Sequence, residues 1–200
     1  STTAISLVGT DGGNNRIQFD PFLIQIVRVV DSSNNEYSLE VISPTTSIAT
    51  LSRRQFDANG DPATPLGQMM KYLGVVDLTR LSHMIRNNDN NQPTSPTWVQ
   101  VYRELVEWAT LFSIIRTKSF GSDTLIVFDG LLRSKVFAKD LFKIFLLGIE
   151  EGLEIHKSTK RNIYIAGVAK HSKVLSRYRL AMALEDILTT TYPAFVEVPR

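Results

Sequence analysis

The sequence predicts an α/β domain whose mixed sheet joins an antiparallel meander to parallel βα units, flanked by helices. Three observations carry this prediction. Residues 5–46 read as three strands separated by turn-forming clusters. Two short, almost wholly apolar runs, 124–129 and 162–168, read as buried strands. Each of those runs is followed by a stretch with helical apolar spacing.

In the first third, a strand ends at Asp11, and Gly12-Gly13-Asn14-Asn15 is a turn signal that leads into 16–19 and then 22–30. Asp31-Ser32-Ser33-Asn34-Asn35 marks a second turn before a strand over 37–42, so a meander is the economical reading. Residues 43–64, rich in Ser, Thr, Pro, Asp and Gly, read as a surface connection. Helical spacing begins at Leu66, Met69, Met70 and Leu73 and resumes at Leu78, Leu81 and Ile85. The polar run 87–96 is expected to be a mobile loop, because its Asn, Asp, Gln and Pro residues have nothing to bury.

Ser95-Pro96 then opens a helix whose apolar face holds Trp98, Val101, Tyr102, Leu105, Trp108, Ala109 and Phe112. Those aromatics read as core and not as a platform for bases, since stacking needs exposed rings. Later helices are expected over about 136–151 and about 172–188, the last with Leu175, Tyr178, Ala181, Met182, Leu184 and Ile187 inward. Strand, helix, strand, helix in this order implies a parallel pair with a right-handed crossover. Meander plus parallel units is the layout of the ribonuclease H-like fold.

Composition sets bounds on function. With 200 residues and 43% apolar content the chain can bury one sizeable core. The longest apolar runs, 22–30 and 141–149, are broken by Gln25, Arg28 and Lys143, so no membrane segment is expected. The absence of cysteine excludes disulfides and zinc-thiolate sites, and a cytoplasmic location is the default expectation. A net charge of +2 means that any nucleic-acid contact must come from a local patch. There is no Walker-type phosphate loop and no GxGxxG fingerprint.

Two acidic residues followed by glycine stand out, Asp11 and Asp129. A carboxylate at a strand end, next to a residue that lets the backbone turn, can present oxygen ligands to a divalent cation. Asp also simply supports turns, so either residue alone carries little. Glu107 lies on the helix between them, with Glu104 one turn earlier as a rival ligand. Oxygen-only donors suit manganese or magnesium. Such ions can neutralise a phosphate, generate hydroxide near neutral pH and stabilise a leaving oxygen. Arg133 and Lys135, and then Lys170, His171, Lys173, Arg177 and Arg179, are basic groups available to phosphates, although Arg177 and Arg179 read more simply as a solvated helix face.

Four motifs in one order resemble the NurA family of nucleases. Thr10-Asp11-Gly12-Gly13 is similar to its first motif, and Val106-Glu107-Trp108-Ala109-Thr110-Leu111 resembles its helical glutamate motif. Val127-Phe128-Asp129-Gly130-Leu131-Leu132 resembles its strand-end motif, and Ile165-Ala166-Gly167-Val168-Ala169-Lys170-His171-Ser172 its Lys-containing segment. The resemblance implies a ribonuclease H-like nuclease domain over 1–200 with Asp11, Glu107 and Asp129 as metal ligands and catalytic groups together with Lys170. It further implies that Arg133, Lys135, Lys170, His171 and Lys173 bind nucleic acid and that Mn2+ or Mg2+ is the cofactor. The implied activity is 5′ to 3′ exonuclease and single-strand endonuclease action on DNA ends in double-strand break repair, as a homodimer working with a HerA-type hexameric ATPase. Family members continue past the position of Tyr192-Pro193 and use a histidine near the C-terminus; here Arg200 is the last residue, as in a shortened, excised or divergent version. The alternative expectation is a non-catalytic ribonuclease H-like subunit that binds DNA or protein with an incomplete site.

Overall fold

The computed structural model describes residues 6–19, 22–31, 36–42, 46–88, 93–95 and 97–168, together with Arg177, Leu180, Ala183 and Leu184. Within the first three strands the description is of the backbone, with Gly9 and Ile42 in full. Two compact units divide the chain, Ser1–Val168 and Ala169–Arg200.

In the first unit a five-stranded sheet has the order β3-β2-β1-β4-β5. Its strands are β1 (Ser6–Phe19), β2 (Phe22–Asp31), β3 (Glu36–Ile42), β4 (Thr124–Asp129) and β5 (Ile163–Val168). β1 pairs antiparallel with β2, and β2 with β3, while β1 pairs parallel with β4 and β4 with β5. The mixed α/β architecture expected from the sequence is therefore present, with its meander and its parallel crossover.

One expectation is corrected here. Gly12-Gly13-Asn14-Asn15 is not a turn: β1 runs through it, and the ladder from Thr10↔Asp31 to Phe19↔Phe22 holds those residues extended. Cross-strand pairing overrides the local turn preference of Gly and Asn. Reversal occurs between Phe19 and Phe22 instead, and Asp11 lies inside a long strand and not at its end.

The helices are α1 (Ile48–Arg53), α2 (Pro65–Tyr72), α3 (Leu78–Leu81), α4 (Trp98–Thr117) and α5 (Leu141–Ser158). α1 falls inside the stretch expected to be a surface connection. Ser47 caps it by accepting a hydrogen bond from the Thr50 N–H, and Ile48 and Leu51, three apart, are both buried. Thr64 and Asp77 cap α2 and α3 in the same way, with Pro65 at the first helical position of α2. α5 starts later than expected. Residues before it are drawn into an isolated bridge, Ser82↔Phe137, and the Ala138 N–H donates to Leu81 O at 2.8 Å. Lys139 then takes a φ of 50°, which interrupts any helix running in from Val136.

Of the expected mobile loop 87–96, the described residues include an Asn87↔Pro93 bridge, and 89–92 and 96 lie outside the described residues. In the second unit, Arg177, Leu180, Ala183 and Leu184 are helical and exposed, so Leu184 is not the inward residue its spacing suggested.

The core collects along α4, most of whose residues are buried. Trp108 stacks on Phe128 of β4 with ring centroids 4.3 Å apart, and meets Phe142 and Phe145 edge-on at 5.4 Å each. Thr124, Ile126 and Phe128 form the buried side of β4, while the intervening residues are half-buried. The expectation that both faces of this strand are fully covered is thus met on the helical side alone.

At the base of β4 the Asp123 carboxylate accepts from the Asn162 backbone N–H at 2.9 Å and from Asn162 Nδ2 at 3.1 Å, tying the entrances of β4 and β5 together. Those two hydrogen bonds, aided by nearby Arg161, hold its pKa below the ordinary aspartate value. Because the folded pKa is depressed, the tie stabilises the fold above the unfolded-state pKa and is lost as the pH falls through the folded one. An NMR titration of the Asp123 carboxyl carbon is expected to give a midpoint below that of a free aspartate. Asp123→Ala is expected to flatten the acid side of the stability profile.

Candidate active site

The parallel ladder between β1 and β4 fixes the first part of the site. It runs from Ser6↔Thr124 to Thr10↔Phe128, so Asp11 is the next residue after the last β1 partner and lies alongside Asp129. Leu7 and Gly9 pair with Leu125 and Val127, and strand alternation puts Asp11 and Asp129 on the same sheet face by register. β1 continues beyond this point with β2 as its partner, whereas β4 stops.

β4 stops because of Gly130. Its φ of +145° is open to glycine, and its N–H donates to Phe128 O at 3.0 Å, which turns the chain sharply after Asp129. Gly167 on β5, the partner of Phe128, lets this turn sit close: a Cβ there would lie 2.6 Å from Gly130 O and 2.9 Å from Leu132 Cγ. Gly167→Ala is expected to cost about 1–3 kcal/mol through this overpacking. Urea denaturation should detect it, with Gly121→Ala as the control, since a Cβ at Gly121 meets nothing within 4 Å.

α4 supplies the opposite wall. A cleft of about 290 Å³ is lined by Arg103, Glu104, Glu107 and Trp108 from α4 and by Phe128, Asp129, Gly130, Leu131 and Arg133 from β4 and the following turn. The Trp108–Phe128 stack sets the spacing between the two walls. Glu104 and Glu107 are both half-buried, but they are held differently. Glu104 Oε1 accepts from Ser134 Oγ at 2.6 Å and from Trp108 Nε1 at 3.4 Å, so this carboxylate is fixed by its neighbours. Glu107 Oε1 lies 3.3 Å from Arg103 Nε one turn earlier, with the Glu107 side chain 13% exposed. That ion pair keeps the glutamate at the cleft while lowering the local negative charge.

Glu107, its rival Glu104, Asp129 and Arg133, all singled out by sequence, therefore share one cleft, and Asp11 is the next residue after the last β1 partner of β4. Lys135 is exposed two residues beyond Arg133. Lys170, His171 and Lys173 lie outside the described residues. Arg177 is exposed on the helix of the second unit. Trp98, Tyr102 and Trp108 are 4%, 1% and 2% exposed, as a core role requires. His156 is structural, with Nε2 2.6 Å from Ile115 O. Sequence reasoning did not single out Arg103. It expected a helix N-terminus near Ser134 to offer N–H donors to phosphates, whereas α5 begins only at Leu141 and Ser134 acts through its side chain. The spacing of four between Arg103 and Glu107 was a usable signal, whereas the 30-residue separation of Ser134 from Glu104 left none.

Carboxylates of this kind suit a hard divalent cation, and the arginines suit a phosphate. Among the described residues no three His, Cys, Asp or Glu side chains are gathered as a metal site, and Asp11 enters by its backbone position alone. No helix among the described residues is long and apolar enough to cross a membrane. No protein-family model, curated protein or solved structure matches the chain.

Proposed function

We propose that the cleft between α4 and the β4 turn is the active site of a metal-dependent nuclease with a ribonuclease H-like fold, hydrolysing phosphodiesters of DNA. The observation that carries this reading is the cleft itself, which gathers Glu104, Glu107 and Asp129, with Asp11 the next residue along the β1–β4 register. The sheet order, with a meander on one side and parallel strands on the other, agrees with it. DNA ends as substrate, Mn2+ or Mg2+ as cofactor, a homodimer and a HerA-type ATPase partner rest on the motif resemblance.

The donor set fits such an ion, because the acids are oxygen ligands and no thiolate competes with them. Asp129 and Glu107, with Asp11, would hold it. When bound, a divalent ion supplies charge neutralisation at the phosphate and lowers the pKa of water. The remaining work belongs to the chain. Arg133 offers a guanidinium to a non-bridging phosphate oxygen at the cleft mouth. Arg103 offsets the charge of Glu107 before substrate arrives and so eases the approach of a polyanion. Ser134 and Trp108 keep Glu104 oriented into the same space. The buried Trp108–Phe128 stack walls off water from behind.

The test is incubation of the purified chain with end-labelled single- and double-stranded DNA and RNA in manganese, magnesium or chelator. Metal-dependent shortening of DNA is expected, abolished by chelator. Binding of DNA with no cleavage in either metal would instead support the non-catalytic alternative.

A further inference from the structure

The turn that follows Asp129 carries a feature that phosphodiester hydrolysis does not require. Leu131 and Leu132 are 50% and 46% exposed, in a segment where a soluble loop would ordinarily present polar residues. They are held in place, not left loose. Gly130 is in a glycine-favoured conformation, and Gly167 lets β5 abut both the Gly130 carbonyl and the Leu132 side chain. Leu131 itself lines the cleft beside Asp129 and Arg133. Arg133 and Lys135, both exposed, follow at once, so one short turn combines two apolar side chains with two cations.

We propose that Leu131 and Leu132 form an apolar wedge that contacts unpaired bases at a nucleic-acid end, with Arg133 and Lys135 holding the phosphates of the same strand. The inference rests on the nuclease reading of this cleft and assigns it a selectivity element. Apolar side chains gain by touching base faces, and those faces are available where bases are unstacked. In a blunt duplex only the outer face of the terminal pair is open, so the leucines gain less there than on a strand whose bases are unstacked. Unstacking a terminal base costs free energy, which contact with the wedge offsets in part. The cations add attraction for either form of nucleic acid and so do not discriminate. Selectivity is thereby assigned to the leucines and affinity to the basic residues.

The experiment is equilibrium binding of the full chain in chelator, where no cleavage occurs, to fluorescent DNA probes with blunt, frayed or single-stranded ends, and to anionic lipid vesicles. The unmodified chain is expected to prefer the unpaired ends by about tenfold, the order of one apolar base contact. Leu131→Ser with Leu132→Ser should abolish that preference by weakening binding to the unpaired ends more than to the blunt duplex. Leu131→Met should retain it, and Arg133→Ala should weaken all DNA probes alike. Equal binding of blunt and unpaired ends, a preference that survives both serines, or leucine-dependent binding of vesicles in place of DNA would overturn the wedge. Cleavage without end preference would sink this inference and leave the nuclease standing; preference without cleavage in manganese would do the reverse.

Discussion

Asp129→Asn is expected to reduce metal-dependent DNA cleavage by at least about a hundredfold, since an acid ligand at a catalytic ion supplies several kcal/mol of charge stabilisation. The substitution keeps shape and removes charge. Asp129 is half-buried where the strand ends, and its backbone is fixed by the Gly130 turn and the β4–β5 ladder, so the fold should persist. Single-turnover cleavage in manganese measures the loss, and circular dichroism checks the fold. Asp11→Asn should act in the same direction, because its position beside Asp129 comes from the parallel register. Glu104→Gln and Glu107→Gln then separate the two glutamates. Glu104 is already occupied by Ser134 and Trp108 through Oε1, whereas Glu107 is ion-paired with Arg103 at 3.3 Å and lies in the motif that resembles the family's helical glutamate. The larger loss is expected for Glu107→Gln. Full activity in Asp129→Asn would remove the cleft from consideration as the catalytic site.

The parts of this fold that could be read from sequence are those in which local pattern and tertiary demand agree. β4 is an apolar run because it lies inside the parallel half of the sheet, whereas β5 is the edge strand with Tyr164 and Val168 exposed, so its expected burial is not met; Asp129-Gly130 marks the end of β4 because glycine is needed at a φ of +145°. α4 is legible over its length because its spacing matches its burial. Where tertiary contacts overrule local preference, the sequence misleads. Gly12-Gly13-Asn14-Asn15 has every mark of a turn, yet pairing with 26–29 keeps it extended, and that pairing depends on a strand more than ten residues away. Lys139 at a positive φ has no residue-level signature, so the start of α5 was misplaced. For the site, the acids could be nominated one by one, but their convergence could not. The adjacency of Asp11 and Asp129 depends on a register across more than a hundred residues, and the fixing of Glu104 on a serine thirty residues away.

Trp108→Ala is expected to be the most destabilising single change near the cleft, by about 3–5 kcal/mol. The side chain is 2% exposed and packs on Phe128, Phe142 and Phe145, so its removal leaves a cavity bounded by β4 and α5, both too constrained to collapse into it. In a domain of ordinary stability, about 5–15 kcal/mol, that is a large share of the total, and a melting-temperature drop of roughly 10 °C should accompany it. Trp108→Phe separates packing from hydrogen bonding. It keeps most of the ring contact and removes the Nε1 donor to Glu104, leaving that carboxylate with Ser134. Its expected cost is smaller, about 1 kcal/mol, by the usual worth of one hydrogen bond. Paired urea titrations of the two variants decide the matter. If Trp108→Ala and Trp108→Phe prove equally mild, the indole is not the spacer between α4 and β4, and the width of the cleft must be set by Phe145 and the α4–α5 packing instead.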